Sequence, residues 1–151
     1  KNDDVILPDM YVWVRHNVAS PTEFVASGEV LSAKWRFDVR RSATNKVDNL
    51  FSLPRPVAVS LNASGLIESG AFRASSSTGS RLDELLVFDN TSIAKNKSTS
   101  ATYYYWNSAW RKVGSGTLDF GNDLAIVPGS GIIIRSGAGA SSTTWTNEAG
   151  Y

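Results

Sequence analysis

From Leu31 to Val39 the chain alternates strictly: Leu31, Ala33, Trp35, Phe37 and Val39 are apolar, and Ser32, Lys34, Arg36 and Asp38 between them are polar. A period of two sends successive side chains to opposite faces of an extended backbone. The stretch therefore predicts a strand with one face on a core and the other in water. Further runs have the length and the β-branched or aromatic content of strands: Tyr11–Arg15, Pro56–Leu61, Leu82–Phe88, Ala101–Trp106, Asp123–Val127 and Gly131–Arg135. Between them lie Asn62-Ala-Ser-Gly65, Ser76-Ser-Thr-Gly79, Gly114-Ser-Gly116 and Pro128-Gly-Ser-Gly131, whose residues tolerate positive φ or bond their own backbone. No long stretch carries a helical stripe, so the expected fold is all-β, an antiparallel β-sandwich or a barrel-like domain.

One pattern is repeated across the chain. Residues 2–15, NDDVILPDMYVWVR, align without a gap on residues 122–135, NDLAIVPGSGIIIR. Asn2, Asp3, Ile6, Pro8 and Arg15 fall on Asn122, Asp123, Ile126, Pro128 and Arg135, and Val12-Trp13-Val14 falls on Ile132-Ile133-Ile134. The echo divides the chain into residues 1–27, a strand segment that ends a preceding repeat or is donated, and residues 28–151, the β-sandwich domain. Apolar side chains in such a segment cost about 25 cal/mol per Å² left in water, and an unpaired strand recruits other strands. The expected subunit contact is therefore Tyr11, Val12, Trp13, Val14 and Arg15, in an open head-to-tail assembly of this chain with itself. In it the segment takes, beside a neighbour's sheet, a place equivalent to that of Gly131–Arg135. A weaker echo links Val47–Pro54 with Leu82–Asp89 at an offset of 35, which suggests two related hairpin-like units.

Composition narrows the chemistry. A chain of 151 residues with 42% apolar residues can bury a core as one domain. Its net charge is +1, from 15 basic and 14 acidic residues, which makes no field for nucleic acid. Arg40-Arg41 and Arg111-Lys112 read as solvated strand edges or ends. No run approaches the roughly 18 apolar residues of a membrane helix, so no span is expected in this region. There is no cysteine, which removes disulfides and thiolate metal sites. The chain begins at Lys1 without a basic and apolar leader, and with the echo this points to a piece of a longer protein.

Catalysis finds little support. The one histidine, His16, follows the strand Tyr11–Arg15, no G-x-S-x-G elbow occurs, and a single histidine cannot build a zinc site. Carboxylates are plentiful, but a glycosidase pair must stand roughly 5–10 Å apart across a substrate. Asp83 and Glu84 are adjacent and point to opposite faces of a strand, while Asp89, Asp119 and Asp123 sit in turn-like surroundings. No catalytic residue and no cofactor are expected. Asp119, Asn122 and Asp123 are weak calcium candidates, because they place oxygen ligands in a glycine-containing loop without the full D-x-[DN]-x-[DN]-G pattern.

Tyr103-Tyr-Tyr-Trp106, followed by Trp110, is the strongest compositional oddity. Tyr104 and Trp106 share one face of a strand, and with Trp110 they are candidates for stacking on sugar rings of a surface polysaccharide. The competing reading buries them in a central strand. Asn62, Asn90 and Asn96 head Asn-x-Ser/Thr triplets, and Ser75–Thr78 and Ser141–Thr144 read as flexible polar loops.

The phrases DNLFSLPRPVAVSLNASGL, RLDELLVFDNTSIAKNKSTSATYYYWNSAWRKVG and DFGNDLAIVPGSGIIIRSGAG carry a resemblance. Over roughly residues 30–147 the chain is similar to the C-terminal region of an uncharacterised family of secreted, repeat-containing β-rich proteins of Gram-negative bacteria, whose members often bear a PEP-CTERM-type sorting signal. The resemblance implies export to the extracellular space or cell surface and a structural role there; it implies no activity. The resulting expectation is a non-enzymatic structural or self-assembly protein, a subunit of a filament or surface layer through strand exchange. A carbohydrate-binding or adhesive module is the alternative.

Overall fold

The computed structural model describes residues 32–89, 91, 97–139 and 141–148, and the expected strand Tyr11–Arg15 lies outside them. Among the described residues the protein is all-β. Its strands form two antiparallel sheets, with one 3-10 turn at Asn62–Ser64. The strict alternation of the sequence becomes β1 (Trp35–Val39), which pairs with β7 (Thr143–Asn147) in a two-stranded sheet. Trp35, Phe37 and Val39 turn inward while Arg36 and Asp38 face solvent. The second sheet runs in the order β2 (Val47–Ser52), β6 (Gly131–Ser136), β3 (Glu84–Val87), β4 (Ala101–Trp106) and β5 (Ala109–Lys112).

The two sheets share one core. Trp35 and Trp145 meet edge to face at 4.8 Å, and both the Trp145 and Phe37 rings reach Phe51 of the facing sheet, at 4.9 and 5.4 Å. Farther along, Trp110 packs on Phe72 at 5.0 Å and on Tyr105 at 5.5 Å. Leu85, Ile132 and Ile134 are buried among these rings. Burying each aliphatic or phenyl side chain of this kind stabilises the fold by about 1.5–3 kcal/mol. The Trp145 indole N–H donates to the Ser64 carbonyl at 2.6 Å and so ties the 3-10 turn to β7. Gly65 ends that turn at φ +70, and a Cβ there would stand 2.7 Å from the Thr146 carbonyl oxygen, so glycine is required on both counts.

Several expectations are corrected. Pro56–Leu61 and Asp123–Val127 are not strands; they meet at an isolated bridge, Val59 to Ile126, and the Leu61 N–H reaches the Asp123 carbonyl at 3.1 Å before the chain turns into the 3-10 segment. Ser141–Thr144 is not a flexible loop throughout, since Thr143 and Thr144 open β7. Their hydroxyls are held, Thr143 by Arg41 at 2.8 Å and Thr144 by Asp38 at 2.9 Å. β5 had no strand prediction. It follows a two-residue turn in which Asn107 and Ser108 adopt φ of 50 and 55, the I′ geometry usually marked by glycine.

The weaker echo also fails in its register. β2 and β3 flank β6, and both Asp48 and Glu84 stand opposite Arg135. Positional equivalence is thus one residue away from the offset of 35, and one residue exchanges the two faces of a strand. The place of Gly131–Arg135, finally, is internal. β6 is hydrogen-bonded on both sides by its own chain, so an added strand is left the outer edges of the sheets.

Candidate functional site

One edge of β2 is bonded to β6, and the other borders an open cleft of about 690 Å³. β1 contributes Arg36, Phe37, Asp38 and the following Arg40 to this cleft; β2 contributes Asp48, Asn49 and Leu50; Thr144 of β7 stands beside Asp38. Alternation along β2 sets the roles. Asn49 points inward, and its side-chain amide pairs with the backbone of Arg40, accepting from the Arg40 N–H at 2.8 Å and donating to the Arg40 carbonyl at 3.0 Å. One side chain thereby pins the two sheets together at one end of the cleft. Asp48 and Leu50 point outward. Leu50 is 47% exposed and stands opposite Ile133 of β6.

Electrostatically the cleft is mixed. Asp48 accepts two hydrogen bonds from the Arg135 guanidinium, at 2.7 and 2.8 Å. That bonding holds its carboxyl below the ordinary carboxylate value, against a smaller upward push from partial burial. Arg36 and Arg40 are exposed, and among the described residues neither side chain is in an ion pair. Among the described residues that line the cleft the one hydroxyl, Thr144, donates to the Asp38 carboxylate at 2.9 Å. The arrangement offers a strand edge, two apolar side chains, Phe37 and Leu50, and separated charges, which is what an extended peptide uses when it joins a sheet edge.

A second polar cluster lies just past the far end of β6. Asp83 is fully buried and binds Arg41 at 2.9 Å and Arg73 at 2.8 Å, and it also accepts the backbone N–H groups of Arg73 at 2.8 Å and Gly137 at 2.9 Å. Burial pushes its carboxyl upward, but these donors together outweigh it and hold the group below the ordinary value. The expected solvation of Arg41 and Arg111 is corrected here. The Arg41 side chain is 2% exposed, and Arg111 is buried over the Trp106 ring with its guanidinium on the carbonyls of Trp106 and Thr117. Sequence reasoning missed this cluster because its partners stand 10, 42 and 54 positions from Asp83.

The remaining candidates separate. Tyr11, Val12, Trp13, Val14 and Arg15 lie outside the described residues, as do Asn90 and Asn96. Tyr104 and Trp106 share the outer face of β4, but Tyr104 is 3% exposed, beneath the Arg81 guanidinium, and Trp106 is half-buried. Trp110, 1% exposed, is on the opposite face in the core, so the three do not make one stacking platform. Asp119 accepts the Gly121 N–H at 2.9 Å and shapes a turn, Asn122 is exposed, and Asp123 accepts the Tyr103 hydroxyl at 2.8 Å. Burial and that bond to Asp123 push the Tyr103 hydroxyl above the ordinary tyrosine range. Among the described residues no group of three or more His, Cys, Asp or Glu side chains could hold a metal ion, and no helix is long and apolar enough to cross a membrane.

Among the described residues fold and site together define an all-β protein of two antiparallel sheets in which the outer edge of β2 borders a cleft. Comparison with protein-family models, with curated proteins and with solved structures returns no match.

Proposed function

We propose that this chain is a non-enzymatic structural protein of the cell exterior that assembles with copies of itself by strand pairing. The observation that carries the reading is β2: among the described residues it is a regular strand paired on one side only, whose other edge opens on a cleft and carries the exposed Leu50. An edge of this kind is a template for another strand unless charge, proline or a bulge blunts it. β2 has no proline and no bulge, and its outward Asp48 is already neutralised by Arg135. The side chains that most resemble a reactive set, Asp83 with its arginines and Asp123 with Tyr103, are joined to one another inside the domain. The extracellular setting rests on the resemblance of the phrases quoted above to secreted β-rich proteins.

Sedimentation velocity across the micromolar range, with negative-stain microscopy of the same samples, tests the reading. Concentration-dependent growth into ordered polymers is expected. A chain that stays monomeric throughout that range overturns it.

A further inference from the structure

We infer that the free edge of β2 accepts residues 11–15 of a second copy as an added antiparallel strand. This rests on the assembly reading above and names its contact. β2 already pairs with one strand of the required sequence type: in the β2–β6 register Asp48 faces Arg135, Leu50 faces Ile133 and Phe51 faces Ile132. In the gapless alignment Arg15, Trp13 and Val12 occupy those three positions of residues 131–135. Laid in the same direction on the opposite edge, residues 11–15 put Arg15 beside Asp48, Trp13 beside Leu50, Val14 beside Asn49 and Val12 beside Phe51.

Each pairing answers a feature of the cleft. Leu50 is apolar and 47% exposed, and an indole across the strand covers it at the spacing where cross-strand pairs interact. Asp48 has engaged one lone pair of each oxygen with Arg135, and a carboxylate has about four acceptor sites, so a second guanidinium fits. The protein already builds that arrangement at Asp83, between Arg41 and Arg73. Val12 and Val14 turn inward, toward the half-buried Phe37 in the cleft wall. Asn49 needs nothing from Val14, because its amide is already bound to Arg40. Pro8 ends the pairing on the incoming strand, since it has no N–H to donate, just as Pro128 precedes β6.

Because the chain has no cysteine, single cysteines report the contact directly. Trp13→Cys and Leu50→Cys variants of the 151-residue chain, mixed under mild oxidation, should give a covalent dimer that Trp13→Cys mixed with Ser108→Cys does not; Ser108 is exposed at the β4–β5 turn. Leu50→Lys should abolish polymers while leaving the circular dichroism spectrum unchanged. Polymers that form in Leu50→Lys, with no bond between positions 13 and 50, would overturn this edge as the acceptor and leave self-assembly standing. A Trp13→Cys/Leu50→Cys double variant that closes within a monomer would show the segment on its own edge and overturn donation to a second copy. Absence of both polymers and cross-links defeats this inference together with the assembly reading.

Discussion

Asp48 and Asp83 are each bound by arginine beside β6, yet they stand in opposite surroundings. Asp48 lies on the outer face of β2, and its pair with Arg135 leaves both side chains more than a third exposed. Asp83 is fully buried, with two guanidinium groups and two backbone N–H groups around it. The same chemical pair therefore has two consequences. In water the attraction is offset by solvation, by side-chain entropy and by screening, and such a pair contributes about 0–1 kcal/mol. In the interior each partner depends on the other, because removing one leaves a buried charge without its counter-charge. Asp83 joins the segments around Arg41, Arg73 and Gly137, whereas Asp48 and Arg135 decorate two neighbouring strands.

The largest separation of the two should come from Asp83→Asn, which leaves Arg41 and Arg73 without a counter-charge. It should cost about 3–5 kcal/mol in chemical denaturation. That difference should depend on pH in a defined direction. Asp83 ionises below its ordinary value of 3.8 in the folded protein, so its contribution is complete above that value and is lost as pH falls through the lower folded value. The gap between the wild type and Asp83→Asn should therefore close in acid, and a gap that widened there would break the account. Next in size is Gly137→Ala, whose Cβ would stand 2.4 Å from the Leu82 carbonyl oxygen and displace the N–H that binds Asp83. Overpacking of this kind costs about 1–3 kcal/mol and is read as a lowered melting temperature.

The smallest effect belongs to the exposed pair. Asp48→Asn should cost about 0.2–1 kcal/mol, and 1 M salt, where the Debye length is about 3 Å, should remove most of even that. The loss in Asp83→Asn should survive the same salt. A salt response shared equally by both variants would show that burial does not set them apart.

Alternation along Leu31–Val39 and the aromatic and β-branched content of Ala101–Trp106 were enough to read β1 and β4, because both are local properties of the chain. The aromatic cluster was legible only in part. Its faces followed from the same period, but which face was covered did not, and Trp110 proved to be core through its contact with Phe72, 38 positions away. β5 and β7 were hidden by a turn without glycine and by a polar Ser-Thr run, and in each the decisive bonds are to partner strands.

The sequence by itself determined the class of structure and the echo of residues 2–15 in 122–135, since both are written in residue order alone. Tertiary structure decided which arginines are buried, which carboxylate joins them, and which of the described strands stand at the sheet edges. The reason is one of range. Hydrophobic period and turn chemistry act over a few residues, whereas the environment of Asp83, Asn49 or Leu50 is made by segments that the fold brings together from 9 to 87 positions away or leaves apart.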